Sequence, residues 1–209
     1  MPIRAVFFDV GETLVDETRM WGAWADALQV PTLTLFGLLG AAIARGEHHR
    51  TVFDHFTGER LARARDRMRT VEPLLAADLY PDALPCLSAL RDRGLVVGIT
   101  GNQPSAMEAA LAAAAVPADI VGSSERWGVE KPSPEFFRRL LAESGAAVTE
   151  VLHVGDRLDN DVLPALQLGL RAALIRRGPW GMLHARRVPA SVRVLESLRE
   201  VPELVDQLR

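Results

Sequence analysis

Residues 3–14 read IRAVFFDVGETL. The run over residues 3–8 is mostly apolar, includes β-branched and aromatic side chains, and stops at Asp9. Runs of the same character recur at residues 95–100, 119–122, 151–155 and 172–175. Short apolar runs of this kind are typical of strands that are buried on both faces. The sequence therefore predicts five buried strands, and the first of them ends at an acidic residue.

Helical patterns separate the later strands. They cover residues 82–93, 104–115, 134–144 and 159–168, and several of them have a proline near the first turn, where proline is well tolerated. Strands that alternate with helices form parallel sheets with helices packed on both faces. We therefore predict an α/β fold built on a parallel sheet.

The alternation is interrupted between the first strand and the helix that begins near residue 82. Residues 17–79 carry helical patterns throughout. We predict an inserted α-helical cap over residues 17–79 and a core domain made of residues 1–16 and 80–209, a division that suits a chain of 209 residues. The apolar stretch at residues 33–44 suggests a homodimer surface, and burial within the cap is the alternative.

Composition and charge argue against several classes of protein. The net charge is −3, and the arginines of residues 60–69 alternate with apolar and acidic residues, so nucleic acid is not an expected partner. The N-terminus lacks signal-peptide features, and the longest apolar stretch, residues 30–44, is shorter than the roughly 20 residues that cross a bilayer, so no membrane association is expected. Cys86 is the single cysteine and cannot form an internal disulfide, which fits a reducing cytoplasm.

Polar side chains collect near the carboxyl ends of the predicted strands, where open parallel sheets bind ligands. The set consists of Asp9 after the first strand, Thr100-Gly101-Asn102 at the second, Asp156 and Asp161 after the fourth, and Lys131 between them, the only lysine in the chain. Converging carboxylates repel one another unless a cation shares them, and hard oxygen ligands favour Mg²⁺. The hydroxyl, the ammonium group and nearby backbone N–H groups would bind an anion such as phosphate.

The order of these residues resembles the four motifs of the haloacid dehalogenase-like (HAD) hydrolase superfamily. The matching positions are Asp9 with Thr13 four residues later, Thr100, Lys131 before Pro132, and Gly155-Asp156 followed by Asp161. The resemblance covers essentially the whole chain, and the predicted cap lies where members of the superfamily have a helical insertion. It implies a Rossmann-like core, with helices on both faces of the sheet, and a cap that closes over the site.

The resemblance also implies a chemistry and a role for each residue. Asp9 would attack phosphorus and form an aspartyl-phosphate. Mg²⁺ would be held by three side chains and one backbone carbonyl, those of Asp9, Asp156, Asp161 and Gly11. Thr100 and Lys131 would hold the phosphoryl oxygens, and Gly101 and Asn102 would contact the substrate. The implied activity is Mg²⁺-dependent hydrolysis of a small phosphate ester.

One position departs from the pattern of the phosphatases. They usually carry a second aspartate two residues after the nucleophile, as general acid and then general base, and this chain has Gly11 there. Positioned acid–base groups contribute about 10²- to 10⁴-fold to a rate. Glu12 or a cap histidine (His48, His49 or His55) would replace the missing acid–base group, or the substrate would have a leaving group that needs no acid. A different reaction, or a weak or lost activity, are the remaining explanations.

Other reactions of the superfamily can be compared with these residues. Phosphonate-cleaving relatives form a Schiff base with a cap lysine, and residues 17–79 contain no lysine, which argues strongly against that reaction. Dehalogenases also lack the second aspartate, but they attack carbon without magnesium and generally lack the arrangement of Asp156 and Asp161. A 2-haloacid dehalogenase and a non-catalytic protein that binds phosphate and metal stay as alternatives.

Overall fold

The structure is a computed structural model that describes residues 1–208. These residues form one sheet with the strands β1 (Ala5–Phe8), β2 (Val96–Gly101), β3 (Ile120–Ser123), β4 (Val151–Gly155), β5 (Arg171–Ile175) and β6 (Arg193–Leu195). All neighbouring strands are parallel, in the order β3-β2-β1-β4-β5-β6. This is the strand order of a doubly wound Rossmann-like sheet. The predicted α/β fold is confirmed.

Each strand is followed by at least one helix, and four helices lie between β1 and β2. The helices are α1 (Thr18–Leu28), α2 (Thr32–Ala44), α3 (Gly58–Met68), α4 (Ala83–Arg91), α5 (Ala106–Ala113), α6 (Ser124–Trp127), α7 (Pro134–Ser144), α8 (Leu163–Leu168), α9 (Gly178–His184) and α10 (Val201–Gln207). The helix expected over residues 159–168 differs from the prediction, because its first turn, Leu158–Val162, is a wider π-type turn. Within residues 1–208, no single helix is long and apolar enough to cross a membrane; α1 and α2 meet that test only jointly, as a pair bent by 115°.

Apolar cores lie on both faces of the sheet. Phe8 and Ile99 point to one face, where they belong to the same buried cluster as residues of α4, α5 and α10. Phe7 points to the other face and shares a buried cluster with Phe136 and Phe137 of α7. Successive residues of a strand face opposite sides, which is why Phe7 and Phe8 serve different cores. The two cores hold β1 rigidly, so that the residue after it, Asp9, has a fixed position.

The chain divides into two compact units. One consists of residues 1–16 and the described residues from 74 onward, and the other of Glu17–Pro73. We call them the sheet unit and the helical unit. In the helical unit α1 contacts both α2 and α3, and the Arg60 guanidinium donates to the carbonyl oxygens of Leu28 and Gln29 at the end of α1, at 2.6 and 2.7 Å.

The division at residue 73 differs from the expected cap boundary at residue 79. Residues 74–79 belong to the sheet unit. Leu79 forms an antiparallel bridge with Val15, and the backbone N–H of Tyr80 donates to the Leu14 carbonyl at 2.9 Å. These backbone contacts join segments more than 60 residues apart, and the local helical pattern of the sequence does not reveal them.

Candidate active site

Asp9 follows β1 at the carboxyl edge of the sheet. Its backbone N–H donates to the Val154 carbonyl at 2.9 Å, which ties the end of β1 to β4. The chain then turns tightly, because the N–H groups of Leu14 and Val15 both donate to the Val10 carbonyl, at 2.9 and 3.0 Å. The turn keeps the Asp9 side chain at the sheet edge, where it is largely buried.

The Lys131 ammonium group connects two carboxylates of the site. Its Nζ lies 2.5 Å from Oδ1 of Asp9 and 2.5 Å from Oδ1 of Asp161, and the lysine is 3% exposed. Burial alone would lower the pKa of Lys131, but the charges of Asp161 and Asp9 outweigh burial and raise it. Lys131 therefore carries its charge and offsets that of the two carboxylates.

Asp156 and Asp161 bring two more carboxylates to Asp9. An oxygen atom of each of the three lies within 4.8 Å of the others. Burial, together with the charges of Asp9 and Asp161, raises the pKa of Asp156 well above its usual value. Burial also raises the pKa of Asp9, against the opposing effect of Lys131. The cluster is therefore short of positive charge even with Lys131 in place.

A divalent cation fits this deficit. Asp156 is 2% exposed, and its Oδ2 is buried with no hydrogen-bond partner in residues 1–208. A buried carboxylate oxygen without a partner is costly, and oxygen ligands at this spacing suit Mg²⁺. Asp156 is the best-placed ligand of the cluster, because its Oδ2 has no partner in the described residues, whereas Oδ1 of Asp9 and both oxygens of Asp161 already accept hydrogen bonds from the protein.

Asp161 is surrounded by N–H groups. The ammonium group of Lys131 and Nε2 of His153 lie 2.5 and 3.2 Å from its Oδ1, and the backbone N–H of Arg157 donates to its Oδ2 at 3.1 Å. Burial alone would raise the pKa of Asp161, but Lys131 and His153 outweigh burial and hold the pKa well below its usual value. The wide turn Leu158–Val162 directs this side chain back onto Gly155, where a β-carbon would collide with it.

Thr100, whose hydroxyl is predicted to hold phosphate, lies in β2 beside Gly101. Thr100 is fully buried, and its Oγ1 has no hydrogen-bond partner in the described part of the chain. The next residue, Gly101, is the one that faces the nucleophile: a β-carbon there would lie 3.2 Å from Oδ1 of Asp9. The structure brings Asp9, Lys131 and the two later aspartates together, and Gly101 adds no side chain of its own beside Asp9.

Asn102 holds the lysine loop by its backbone. Its Nδ2 donates to the Lys131 carbonyl at 2.8 Å, and its Oδ1 accepts from the Lys131 N–H at 2.7 Å. Both ends of the side-chain amide are therefore engaged by the protein. This arrangement favours a role in positioning Lys131, and the substrate contact of Asn102 stays a prediction.

Glu12 follows Gly11 in the turn and adopts a left-handed backbone conformation, with φ 53°. Its side chain accepts a hydrogen bond from the hydroxyl of Tyr80 at 2.7 Å. It also packs against Gly178, where a β-carbon would collide with it. The alternative candidates for proton transfer, His48, His49 and His55, lie in the helical unit, where the rings of His48 and His49 stack 4.3 Å apart.

A family model described as haloacid dehalogenase-like hydrolase matches residues 3–169 of the chain. Among curated proteins, a glyceraldehyde 3-phosphate phosphatase of Methanocaldococcus jannaschii is 31% identical over 62% of this chain. The match spans 58% of that relative's own length, so this chain corresponds to little more than half of that relative.

Solved structures with this fold include both phosphatases and dehalogenases. A HAD phosphatase from Thermococcus onnurineus matches with a TM-score of 0.62 and 22% identity, over 97% of this chain and 98% of the other. An L-2-haloacid dehalogenase from Xanthobacter autotrophicus matches with a TM-score of 0.69 and 22% identity, over 99% of this chain and 100% of the other. At this identity the likeness concerns the fold alone and does not choose between the two reactions.

Proposed function

The chain belongs to the haloacid dehalogenase-like hydrolases, and on that basis we propose that it is a Mg²⁺-dependent phosphatase that hydrolyses a small phosphate ester through Asp9. The observation that carries the proposal is the buried cluster of Asp9, Asp156 and Asp161 around the Lys131 ammonium group. Curated relatives named as phosphatases of small phosphate esters support it.

The reaction has two steps in this site. An Asp9 carboxylate oxygen attacks phosphorus, the bond from phosphorus to the ester oxygen breaks, and the leaving alkoxide takes a proton. Water then attacks the phosphorus of the aspartyl-phosphate, inorganic phosphate leaves, and the Asp9 carboxylate is restored. Lys131 lies within reach of Asp9 and stabilises the negative charge that develops on the phosphoryl oxygens.

Asp9, Asp156 and the Gly11 carbonyl would hold Mg²⁺, with Asp161 supporting Lys131 and the bound metal from behind. The ion would neutralise phosphoryl oxygens and offset the repulsion among the carboxylates. The proton for the leaving group does not come from residue 11, because glycine has no side chain. We expect the slow part of turnover to be a proton transfer, either to the alkoxide or from the attacking water.

A 2-haloacid dehalogenase is the second candidate, and Gly11 is the observation that favours it. Attack on carbon needs neither a cation nor a general acid for a halide leaving group. The partnerless Oδ2 of Asp156 counts against this candidate, because a metal-free site would leave a buried carboxylate oxygen uncompensated.

One set of assays separates the candidates. We expect phosphate release from p-nitrophenyl phosphate and from a panel of small phosphate esters with MgCl₂, and none with EDTA. Asp9→Asn should lower kcat by at least about 10³-fold. Asp159→Asn is the matched control, since this aspartate is exposed and pairs with Arg157 outside the cluster.

Each competing function has its own readout. Halide release from 2-haloacids in EDTA, without phosphate release, would replace the phosphatase by the dehalogenase. Binding of beryllofluoride with no turnover across the panel would identify a non-catalytic relative. A cytoplasmic location, a homodimer and a cap role for the helical unit stay predictions; sedimentation equilibrium tests the dimer.

A further inference from the structure

His153 lies inside β4 and is fully buried. Its ring meets the ring of Phe137 edge to face, with centroids 5.4 Å apart. One ring nitrogen, Nε2, lies 3.2 Å from Oδ1 of Asp161. The other, Nδ1, is buried with no partner in residues 1–208. Burying a polar ring in an apolar strand costs free energy unless its nitrogens are hydrogen-bonded, and an unpaired one calls for an explanation.

The surroundings of the ring determine which nitrogen carries the proton. A proton on Nε2 gives an N–H that donates to the Asp161 carboxylate, which can only accept. A proton on Nδ1 alone would point a nitrogen lone pair at that carboxylate and leave a buried N–H without an acceptor. The contacts therefore assign the proton to Nε2.

The contact with Asp161 links His153 to the nucleophile. Oδ1 of Asp161 is the same atom that contacts Nζ of Lys131, and Nζ in turn contacts Oδ1 of Asp9. The Arg157 N–H holds Oδ2 of Asp161. Without His153 the other oxygen, Oδ1, would therefore be held only by the flexible Lys131 side chain. A second donor on a rigid strand fixes the position of Oδ1. The chain from the strand to the nucleophile thus runs through two side chains, Asp161 and Lys131.

We propose that His153 is a positioning residue: its Nε2–H fixes Asp161, and through Asp161 it fixes the Lys131 ammonium group against Asp9. The expected effect on turnover rests on the proposed phosphatase function. The positioning of Asp161 rests only on the hydrogen bond from His153. A residue needed only to fill space here would be apolar, because a hydrocarbon of the same shape leaves no buried ring nitrogen unpaired.

Three substitutions separate positioning from packing. His153→Gln keeps an amide N–H close to the place of Nε2, and His153→Asn carries the same amide on a shorter side chain that reaches only the place of Nδ1. His153→Leu keeps volume and has no donor. We expect Asn and Leu to lower kcat on p-nitrophenyl phosphate by about 10- to 100-fold with KM changed less than about threefold, and Gln to stay within about fivefold of wild type.

A packing role predicts the reverse order, with Leu tolerated best and Gln worst. Equal kcat values for Gln and Leu, or a loss that only follows the melting temperatures of the variants, would therefore overturn the proposal.

A second measurement on the wild-type protein does not depend on turnover. The chain has five histidines, so long-range ¹H–¹⁵N spectra resolve their rings, and His153→Gln assigns the signal. A proton on Nε2 is expected, and protonation of Nδ1 alone would refute the hydrogen bond. A wild-type protein without phosphatase activity would contradict the proposed function, and the ring spectrum would then decide the contact by itself.

Discussion

Asp156 is the residue on which the metal requirement is expected to depend. Its Oδ2 is buried and lacks a partner in residues 1–208, and its charge is opposed by Asp9 and Asp161. Asp156→Asn removes the charge and one ligand oxygen. We expect the MgCl₂ concentration for half-maximal phosphate release to rise by about 10- to 100-fold. Titration of activity with MgCl₂ measures this, and Asp159→Asn should leave the midpoint unchanged. An unchanged midpoint in Asp156→Asn would remove this residue from the ligand set.

Glu12 tests whether a neighbour replaces the missing acid at Gly11. Its side chain already accepts a hydrogen bond from Tyr80 and packs against Gly178. Glu12→Gln keeps an oxygen that accepts from Tyr80 and removes only the ability to transfer a proton. We expect kcat to fall by less than about tenfold, against the 10²- to 10⁴-fold that an acid–base group contributes. A larger loss of kcat with an unchanged melting temperature would make Glu12 the acid–base residue.

Sequence alone located part of this site at residue scale. Asp9, Asp156 and Asp161 could be predicted because they follow the ends of β1 and β4, and strand ends of a parallel sheet converge. Lys131 lies in the loop before α7 and could be predicted because it is the only lysine of the chain and stands before Pro132, as in the motif order.

The direction of a side chain is harder to predict, since a shift of one residue turns it to the other face of the strand. The structure shows that Gly101 faces Asp9, and the phosphate contact of Thr100, whose hydroxyl is buried without a partner in residues 1–208, stays a prediction.

At the scale of elements, Asp82 joins three segments of the sheet unit. Arg177 donates to both of its oxygens, at 3.0 and 2.6 Å, and the hydroxyl of Ser197 and the N–H of Leu198 donate to Oδ2 at 2.7 and 2.9 Å. The start of α4 is thereby fastened to the segments that follow β5 and β6. We expect Asp82→Asn to lower the free energy of unfolding by about 1.5 to 3 kcal/mol, measured by urea denaturation.

The pH dependence of that contribution follows from the same contacts. Burial alone would raise the pKa of Asp82, but hydrogen bonds from Arg177, Ser197 and Leu198 outweigh burial and lower it. A group with a lowered pKa in the folded state stabilises the protein above its unfolded pKa and loses this effect as pH falls through the folded value. The difference between wild type and Asp82→Asn should be constant near neutral pH and shrink below about pH 4.

Elements with a long local pattern could be predicted, and those that depend on distant partners could not. The five predicted strands are apolar runs that need no neighbour to be recognised. The sixth, β6, is three residues long and begins at the exposed Arg193. Its place is determined by pairing with β5 and by the Arg176 N–H, which donates to the Leu195 carbonyl at 2.8 Å.

At the scale of the whole molecule, the interrupted alternation of strands and helices predicted an inserted helical segment, and the chain does divide into two units. All residues assigned to the chemistry come from the sheet unit, on both sides of the insertion. Asp9 precedes the helical unit, and Lys131, Asp156 and Asp161 follow it. The site therefore forms only when β2 and β4 pair with β1, and a bound metal ion should stabilise the folded sheet unit as a whole.

Mg²⁺ should for this reason raise the melting temperature of the protein. A ligand that binds only the folded state adds about 2.7 kcal/mol at 100 times its Kd. For a chain of this size each kcal/mol corresponds to about 2 to 4 °C, so we expect a rise of about 5 to 10 °C. Differential scanning calorimetry with increasing MgCl₂, and with NaCl at matched ionic strength, measures it. Asp156→Asn should need more MgCl₂ for the same rise, because the variant binds the ion less tightly. An equal rise in NaCl would trace the effect to general screening. An equal rise in the variant at the same MgCl₂ would exclude the cluster as its cause.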